Sequence, residues 1–301
     1  MANWNGITRE INMIIEKMRS EARQDSNMES RRRDIHALLQ TPLRLESLDF
    51  EKDKSNRIYS VKMTREDGND IMSMDMSGGV LTIKVYEDTR IISDRREARR
   101  ESKRIANDLV TLVLRFRSVF VEQLDISMDF PDYEVHSYGR IKCDMMYAGV
   151  DRIGKWLKRI DARHLYFNDD ACVIDDRHSM EMVMKCNSVD MNVRSGITNE
   201  LLMTFNGSCL ELGPSQVTAN GINRFMKNMF KRRFTEEEVE FSFAVEDRKV
   251  MDILEGMRCR NIEVEYGEDG CIPQIAPHWT IIKSRDSRRI SFKLDNEETH
   301  W

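Results

Sequence analysis

The sequence predicts an α/β chain: a curved, leucine-rich-repeat-like solenoid of short parallel strands backed by helices, with an N-terminal helical arm and a β-rich segment. Three observations carry this expectation. After residue 95 a two-residue apolar alternation and a helical periodicity take turns along the chain. The strand cores share one apolar–polar–apolar triplet: Leu124-Asp125-Ile126, Leu165-Tyr166-Phe167, Val189-Asp190-Met191, Leu210-Glu211-Leu212, Val239-Glu240-Phe241 and Ile262-Glu263-Val264. Most spacings between these triplets fall within the roughly 20 to 29 residues of a leucine-rich repeat. The alternative is an ordinary compact α/β domain whose repetition is accidental.

The elements follow in order. Residues 1–43 form a helical segment in which Ile7, Ile11, Ile14, Ile15 and Met18 share one face, and Pro42 ends it. Residues 44–94 are β-rich, because the period falls to two in Ser47-Leu48-Asp49-Phe50, Ile58-Tyr59-Ser60-Val61, Ile71-Met72-Ser73-Met74 and Leu81 to Val85. Asp67-Gly68 and Gly78-Gly79 mark turns between them. Residues 95–301 form the repeat domain, with helices expected over 105–116, 145–157, 179–184, 198–205, 218–230 and 246–257. Thr218 is the expected N-cap of a helix whose Ile222, Phe225, Met226, Met229 and Phe230 recur on one apolar face. Right-handed crossovers would lay the strands parallel and side by side. A hairpin over Thr280 to Leu294 is expected to cap the last repeat.

Composition narrows the function classes. With 301 residues, 40% of them hydrophobic, the chain can bury a large core. Charged residues make up 33% with a net charge of -5, an interspersed surface that does not favour nucleic acid. No export signal or membrane-length apolar run is evident, so a cytoplasmic location is expected, with the nucleus also open. The six cysteines, at 143, 172, 186, 209, 259 and 271, include no Cys-x-x-Cys pair and read as small apolar fillers. The 20 methionines read mainly as core.

No catalytic motif is present: neither a phosphate-cradling glycine loop, nor His-Glu-x-x-His, nor Gly-x-Ser-x-Gly. The six histidines are dispersed, and Asp169-Asp170 and Asp175-Asp176 read as solvated loop carboxylates. The expectation is therefore a binding protein without cofactor or metal, and not an enzyme. If the triplet strands pair side by side, their middle residues share one face: Asp125, Tyr166, Asp190, Glu211, Glu240 and Glu263. Like charges on adjacent strands disfavour one another, so such a concave face is expected to receive a basic segment of a protein partner. The competing reading is polar solvation, with nearby loops supplying arginines. The basic runs Arg31-Arg32-Arg33 and Arg95 to Arg104 read as solvated helix faces, since glutamates interrupt the second and no aromatics interleave.

The stretch Val217-Thr218-Ala219-Asn220-Gly221-Ile222-Asn223-Arg224-Phe225-Met226-Lys227-Asn228 resembles the motif helix of the nematode F-box-associated domain, type 2. The resemblance covers about residues 100–295 and is strongest between 205 and 245. It implies selection of a protein substrate for a cullin-RING ubiquitin ligase, and docking of the ligase adaptor through an N-terminal F-box. Here Ile222 and Met229 stand where the family has Leu and often Trp, and residues 1–45 lack the Pro-rich, leucine-dense F-box pattern. Three functions follow as expectations: a ligase substrate receptor or decoy form of one, a stand-alone interaction or antagonist protein without ligase attachment, and, behind both, a nucleic-acid binder through residues 95–104.

Overall fold

The computed structural model describes residues 42–53, 58–77, 79–85, 88–131, 140–150, 152–167, 173–233, 238–245, 250–256, 262–267, 278–285 and 288–296. The helical segment expected over 1–43, with Arg31-Arg32-Arg33, lies outside them up to residue 41, and Leu43 already opens a strand; the pair Asp169-Asp170 also lies outside. The chain is mixed α/β and divides into two compact units, Met1–Met146 with Arg159–Asp161, and Tyr147–Lys158 with Ala162–Trp301. Among the described residues no helix is long and apolar enough to cross a membrane.

In the first unit β1 (Leu43–Asp53), β2 (Ile58–Thr64), β3 (Asp70–Ser77), β4 (Val80–Val85) and β5 (Asp88–Ile92) pair antiparallel in succession. The expected strands of the β-rich segment are all present. Gly68, at φ 78°, turns the β2–β3 connection, a backbone conformation that favours glycine. Helix α1 (Arg95–Val113) begins ten residues before the expected 105, because Asp94 caps it by accepting from the Glu97 N–H at 2.7 Å. Its Ala98, Ser102, Ala106, Leu109, Val110 and Val113 are buried. β6 (Val119–Ile126) then runs parallel to β1, aligning Leu48-Asp49-Phe50 with Leu124-Asp125-Ile126.

The region expected as a helix over 145–157 is instead strand β7 (Ile141–Ala148) followed by one turn, α2 (Gly154–Leu157). The cause is a phase break. β1, β6 and β7 each alternate buried and outward residues, then place two outward residues in a row before alternation resumes: Glu46-Ser47, Glu122-Gln123 and Asp144-Met145. That extra residue spaces Cys143 and Met146 as on a helix, and Val150, Ile153 and Leu157 continue the same spacing.

In the second unit β8 (Ile160–Phe167), β10 (Ser188–Met191), β12 (Cys209–Leu212) and β13 (Glu238–Val245) lie parallel and in chain order. Between them run β9 (Val173–Ile174), β11 (Arg194–Ser195), α3 (Arg177–Val183), α4 (Asn199–Leu202) and α5 (Ala219–Met229), with β9 and β11 forming a separate parallel pair. After α6 (Val250–Leu254) come β14 (Ile262–Gly267), β15 (His278–Arg285) and β16 (Arg288–Asn296). The hairpin β15–β16 is not a terminal cap. β16 pairs parallel with β13, and β15 separates it from β14, so the strand order is β8-β10-β12-β13-β16-β15-β14. Six parallel triplet strands side by side are therefore not found.

The core of this unit is aromatic. Phe225 of α5 meets Phe241 edge-on at 5.2 Å and Phe243 at 5.8 Å, while Phe241 stacks on Phe292 at 4.8 Å. The motif helix owes its other characteristic residues to its neighbours. Thr218 caps it, with Oγ1 accepting from the Gly221 N–H at 3.2 Å. The Asn199 carboxamide in turn donates to Thr218 Oγ1 and accepts from the Thr218 N–H, both at 3.0 Å. On the far side the buried Asn223 amide donates to the carbonyls of Ile253 and Glu255, and Lys227 Nζ donates to the latter at 2.9 Å. These bonds satisfy carbonyls at the C-terminus of α6. Thr218, Asn223, Phe225 and Lys227 thus join one strand–helix unit to the next.

A Cβ at Gly221 would collide with the Asn199 carboxamide. Gly221→Ala is therefore expected to lower stability by about 1 kcal/mol or more, although alanine in an open helix would raise it by about that amount. Denaturant midpoints of the two proteins decide the sign; a stabilised variant would mean that Asn199 moves aside without loss.

Candidate protein-binding surface

The parallel strands of the second unit sort their side chains by period two. Leu165, Val189, Met191, Leu210, Leu212, Val239 and Phe241 are buried, and the residues between them face the other way. On that outward face Tyr166, Asp190 and Glu211 are half-exposed and stand in one row, Tyr166 opposite Asp190 and Asp190 opposite Glu211.

The row then departs from the expected one. β12 and β13 pair with a two-residue offset, so Ser242 stands opposite Glu211 and Glu240 stands opposite Cys209. An offset of two preserves the face but changes the row. Lys293 of β16 follows Ser242, and Glu240 is followed by Ser291, Ile282 and only then Glu263. Two strands thus lie between Glu263 and Glu240. Asp125 belongs to the first unit, where its register partner is Asp49 of β1. Of the six expected residues, Tyr166, Asp190 and Glu211 form a continuous row and Glu240 adjoins it.

Tyr147 and Lys293 escaped the sequence reading, whereas His164 is expected on this face as a neighbour of the Leu165-Tyr166-Phe167 triplet. The Tyr147 ring stacks on Tyr166 at 5.2 Å with an interplanar angle of 20°, and His164 lies 6.4 Å from Tyr166 on its own strand. The triplet Met146-Tyr147-Ala148 carries the same signature as the others. Lys293 is brought in by a strand whose pairing is not local, so no neighbouring residue announces it. It places a cation at one edge of the acidic row.

Burial raises the Asp190 carboxyl above its ordinary range. Burial also raises the Tyr166 phenol, assisted by Tyr147 and by the negative charge of Asp190. The Cys209 thiol is raised first by burial and then by Glu240, Glu211 and Asp190, against the opposing hydrogen bond of Ser188. Such a thiol stays protonated and is a poor nucleophile. Glu211 Oε1 accepts from Asn192 Nδ2 at 2.9 Å, which fixes the carboxylate on the surface. The arrangement can stabilise cations: carboxylates of one sign beside the faces of two aromatic rings.

Of the pair Asp175-Asp176, the second residue has a local role. Asp176 caps α3 by accepting from the Ser179 N–H at 2.9 Å, and it also accepts from the Ser179 hydroxyl at 2.5 Å; the hydroxyl bond first, then the backbone N–H, holds its carboxyl below the usual range. No group of three His, Cys, Asp or Glu side chains able to hold a metal occurs among the described residues. Among the described residues Cys143, Cys186 and Cys209 are reduced thiols outside any disulfide. Comparison with protein-family models, characterised proteins and solved structures finds no match to this chain.

Proposed function

We propose that the chain is a protein-recognition module that binds a basic segment of a partner on the outward face of β8, β10, β12 and β13. One observation carries the reading: Asp190 and Glu211 stand directly opposite each other on adjacent strands, half-exposed, beside the stacked Tyr147–Tyr166 pair. Adjacent strands are about 4.8 Å apart, so the two carboxylates disfavour one another until a cation lies between them. The parallel succession of strand and helix from β8 to β13 supports a leucine-rich-repeat-like, curved arrangement. The bonds from Asn199 to Thr218 and from Asn223 to α6 join successive units as stacking of repeats requires.

The resemblance of Val217 to Asn228 to the motif helix of F-box-associated domains is what supports reading this module as a ubiquitin-ligase substrate receptor. The second reading is a stand-alone interaction or antagonist protein that binds its partner through the same face without a ligase. Affinity capture from native cytosol separates the two: co-purification of a cullin adaptor supports the receptor, and partner recovery without adaptor supports the ligase-free module.

Binding itself is tested with a fluorescein-labelled octalysine peptide. Glu211→Lys with Glu240→Lys is expected to weaken binding about tenfold at low salt. Glu46→Lys with Glu122→Lys, at exposed positions of the first unit, makes the same change in net charge and is expected to leave binding within about twofold. Equal losses in both variants would reduce the effect to net charge and remove the proposed surface.

A further inference from the structure

The exposed surface of α1 is divided by charge. At 100° per residue, Arg96, Arg99, Arg100 and Lys103 fall on one flank of the buried stripe, and Glu97, Glu101 and Asp108 fall on the other. All four basic residues are exposed. Two of these acids are already engaged on their own flank: Arg104 holds Glu101 and Asp108, each at 2.9 Å, and the Arg104 hydrogen bond keeps the Glu101 carboxyl below its usual range. Arg100 reaches Glu101 only at 3.9 Å. Among the described residues Arg96, Arg99 and Lys103 have no ion-pair partner.

This placement opposes the helix's own electrostatics. The basic flank occupies the first half of a 19-residue helix, nearest the positive end of the macrodipole, where cations lower helix stability. Solvation alone does not require such a segregation, because the same charges could alternate around the helix and pair at i, i+4.

We propose that the basic flank of α1 is a second docking surface, which takes a short acidic segment of a protein partner. Charge complementarity sets the sign of the ligand. Arginine predominates on the flank, and its guanidinium engages carboxylates in bidentate fashion. The flank carries no aromatic side chain on which bases would stack, and the helix's apolar stripe is buried against the fold, which leaves nothing to insert into a membrane. Arg96 to Lys103 span about 10 Å at 1.5 Å per residue, the reach of a few extended residues. A long polyanion would run beyond the flank onto a chain of net charge -5, which disfavours nucleic acid.

The test uses fluorescein-labelled hexaglutamate peptide and the full chain, read by anisotropy at low salt. Arg96→Gln with Arg99→Gln is expected to weaken binding about tenfold, and Arg115→Gln with Arg117→Gln, which removes the same charge from exposed residues beyond the helix, to change it less than about twofold. Glutamine retains helix propensity and relieves the macrodipole conflict, so the melting temperature of the first variant should not fall. The proposal is overturned by failure of hexaglutamate to bind, by equal losses in the two variants, or by tighter binding of duplex DNA than of the peptide at equal salt.

Discussion

Phe225→Ala is expected to cost about 4 kcal/mol of the stability of the second unit. The ring is fully buried and meets Phe241, Phe243 and Phe292 edge-on, so truncation removes its burial, its ring contacts and the support of three neighbours at once. No small shift refills the space, because Phe241 and Phe292 are pinned by parallel pairing of β13 with β16. Against a total stability of about 5–15 kcal/mol, the variant should melt at least about 10 °C lower or fail to accumulate. Phe225→Leu keeps most of the volume and is expected to lose about half as much. Calorimetry of both variants checks the ranking; a loss below about 1 kcal/mol in the alanine variant would mean that α5 does not pack on this cluster.

Much of this architecture is legible locally, and what is hidden is hidden for physical reasons. The Thr218 cap and the apolar face of α5 can be read directly, because a cap and a helical stripe depend on residues within a few positions of one another. Strands β1 to β4 of the β-rich segment are equally plain, since each alternates over at least four residues, whereas β5, Asp88-Thr89-Arg90-Ile91-Ile92, carries no such alternation. Pairing partners are another matter. Nothing in Ile290-Ser291-Phe292 says that it lies beside Val239-Glu240-Phe241, more than forty residues upstream, instead of capping β14. The two-residue offset between β12 and β13 is likewise invisible, because period two keeps Glu240 on the right face in either register. Tyr147 and Asp49 were recoverable: both sit at the centre of an apolar–polar–apolar triplet. β7 is masked by the helical spacing its phase break creates, and the parallel pairing of β1 with β6 by the place of β1 among antiparallel strands.

Asp49→Asn is expected to stabilise the chain by about 1–2 kcal/mol at pH 7. Asp49 stands opposite Asp125 on a parallel neighbour, and its carboxyl is pushed up to about 6 by burial, then by Asp125, Glu51 and Asp70, against the pull of Lys62. Lys62 is shared, since its Nζ lies 3.5 Å from Asp70. A rise from 3.8 to about 6 corresponds to about 3 kcal/mol, reduced here because the group is half-exposed and screened. The sign follows from proton release. Below about pH 4 folded and unfolded chains both hold the proton; between 4 and 6 the unfolded chain loses it first, so this contribution to stability falls as pH rises. The asparagine variant should therefore gain most over the parent at pH 7 and little at pH 4, as read from urea midpoints. A variant less stable than the parent at pH 7 would mean that the ionised Asp49 is compensated in the fold.

The central claim, that a basic segment lies on the outward face of β8 to β13, is tested most directly on the unaltered chain by hydroxyl-radical footprinting with and without saturating octalysine peptide. Tyr147 and Tyr166 should lose reactivity when the peptide binds. Phe120, exposed on the first unit beneath Arg44 at 5.1 Å and Lys142 at 5.8 Å, should not, because those cations repel the same peptide. Binding with both tyrosines as reactive as before, or with protection at Phe120, would contradict the account.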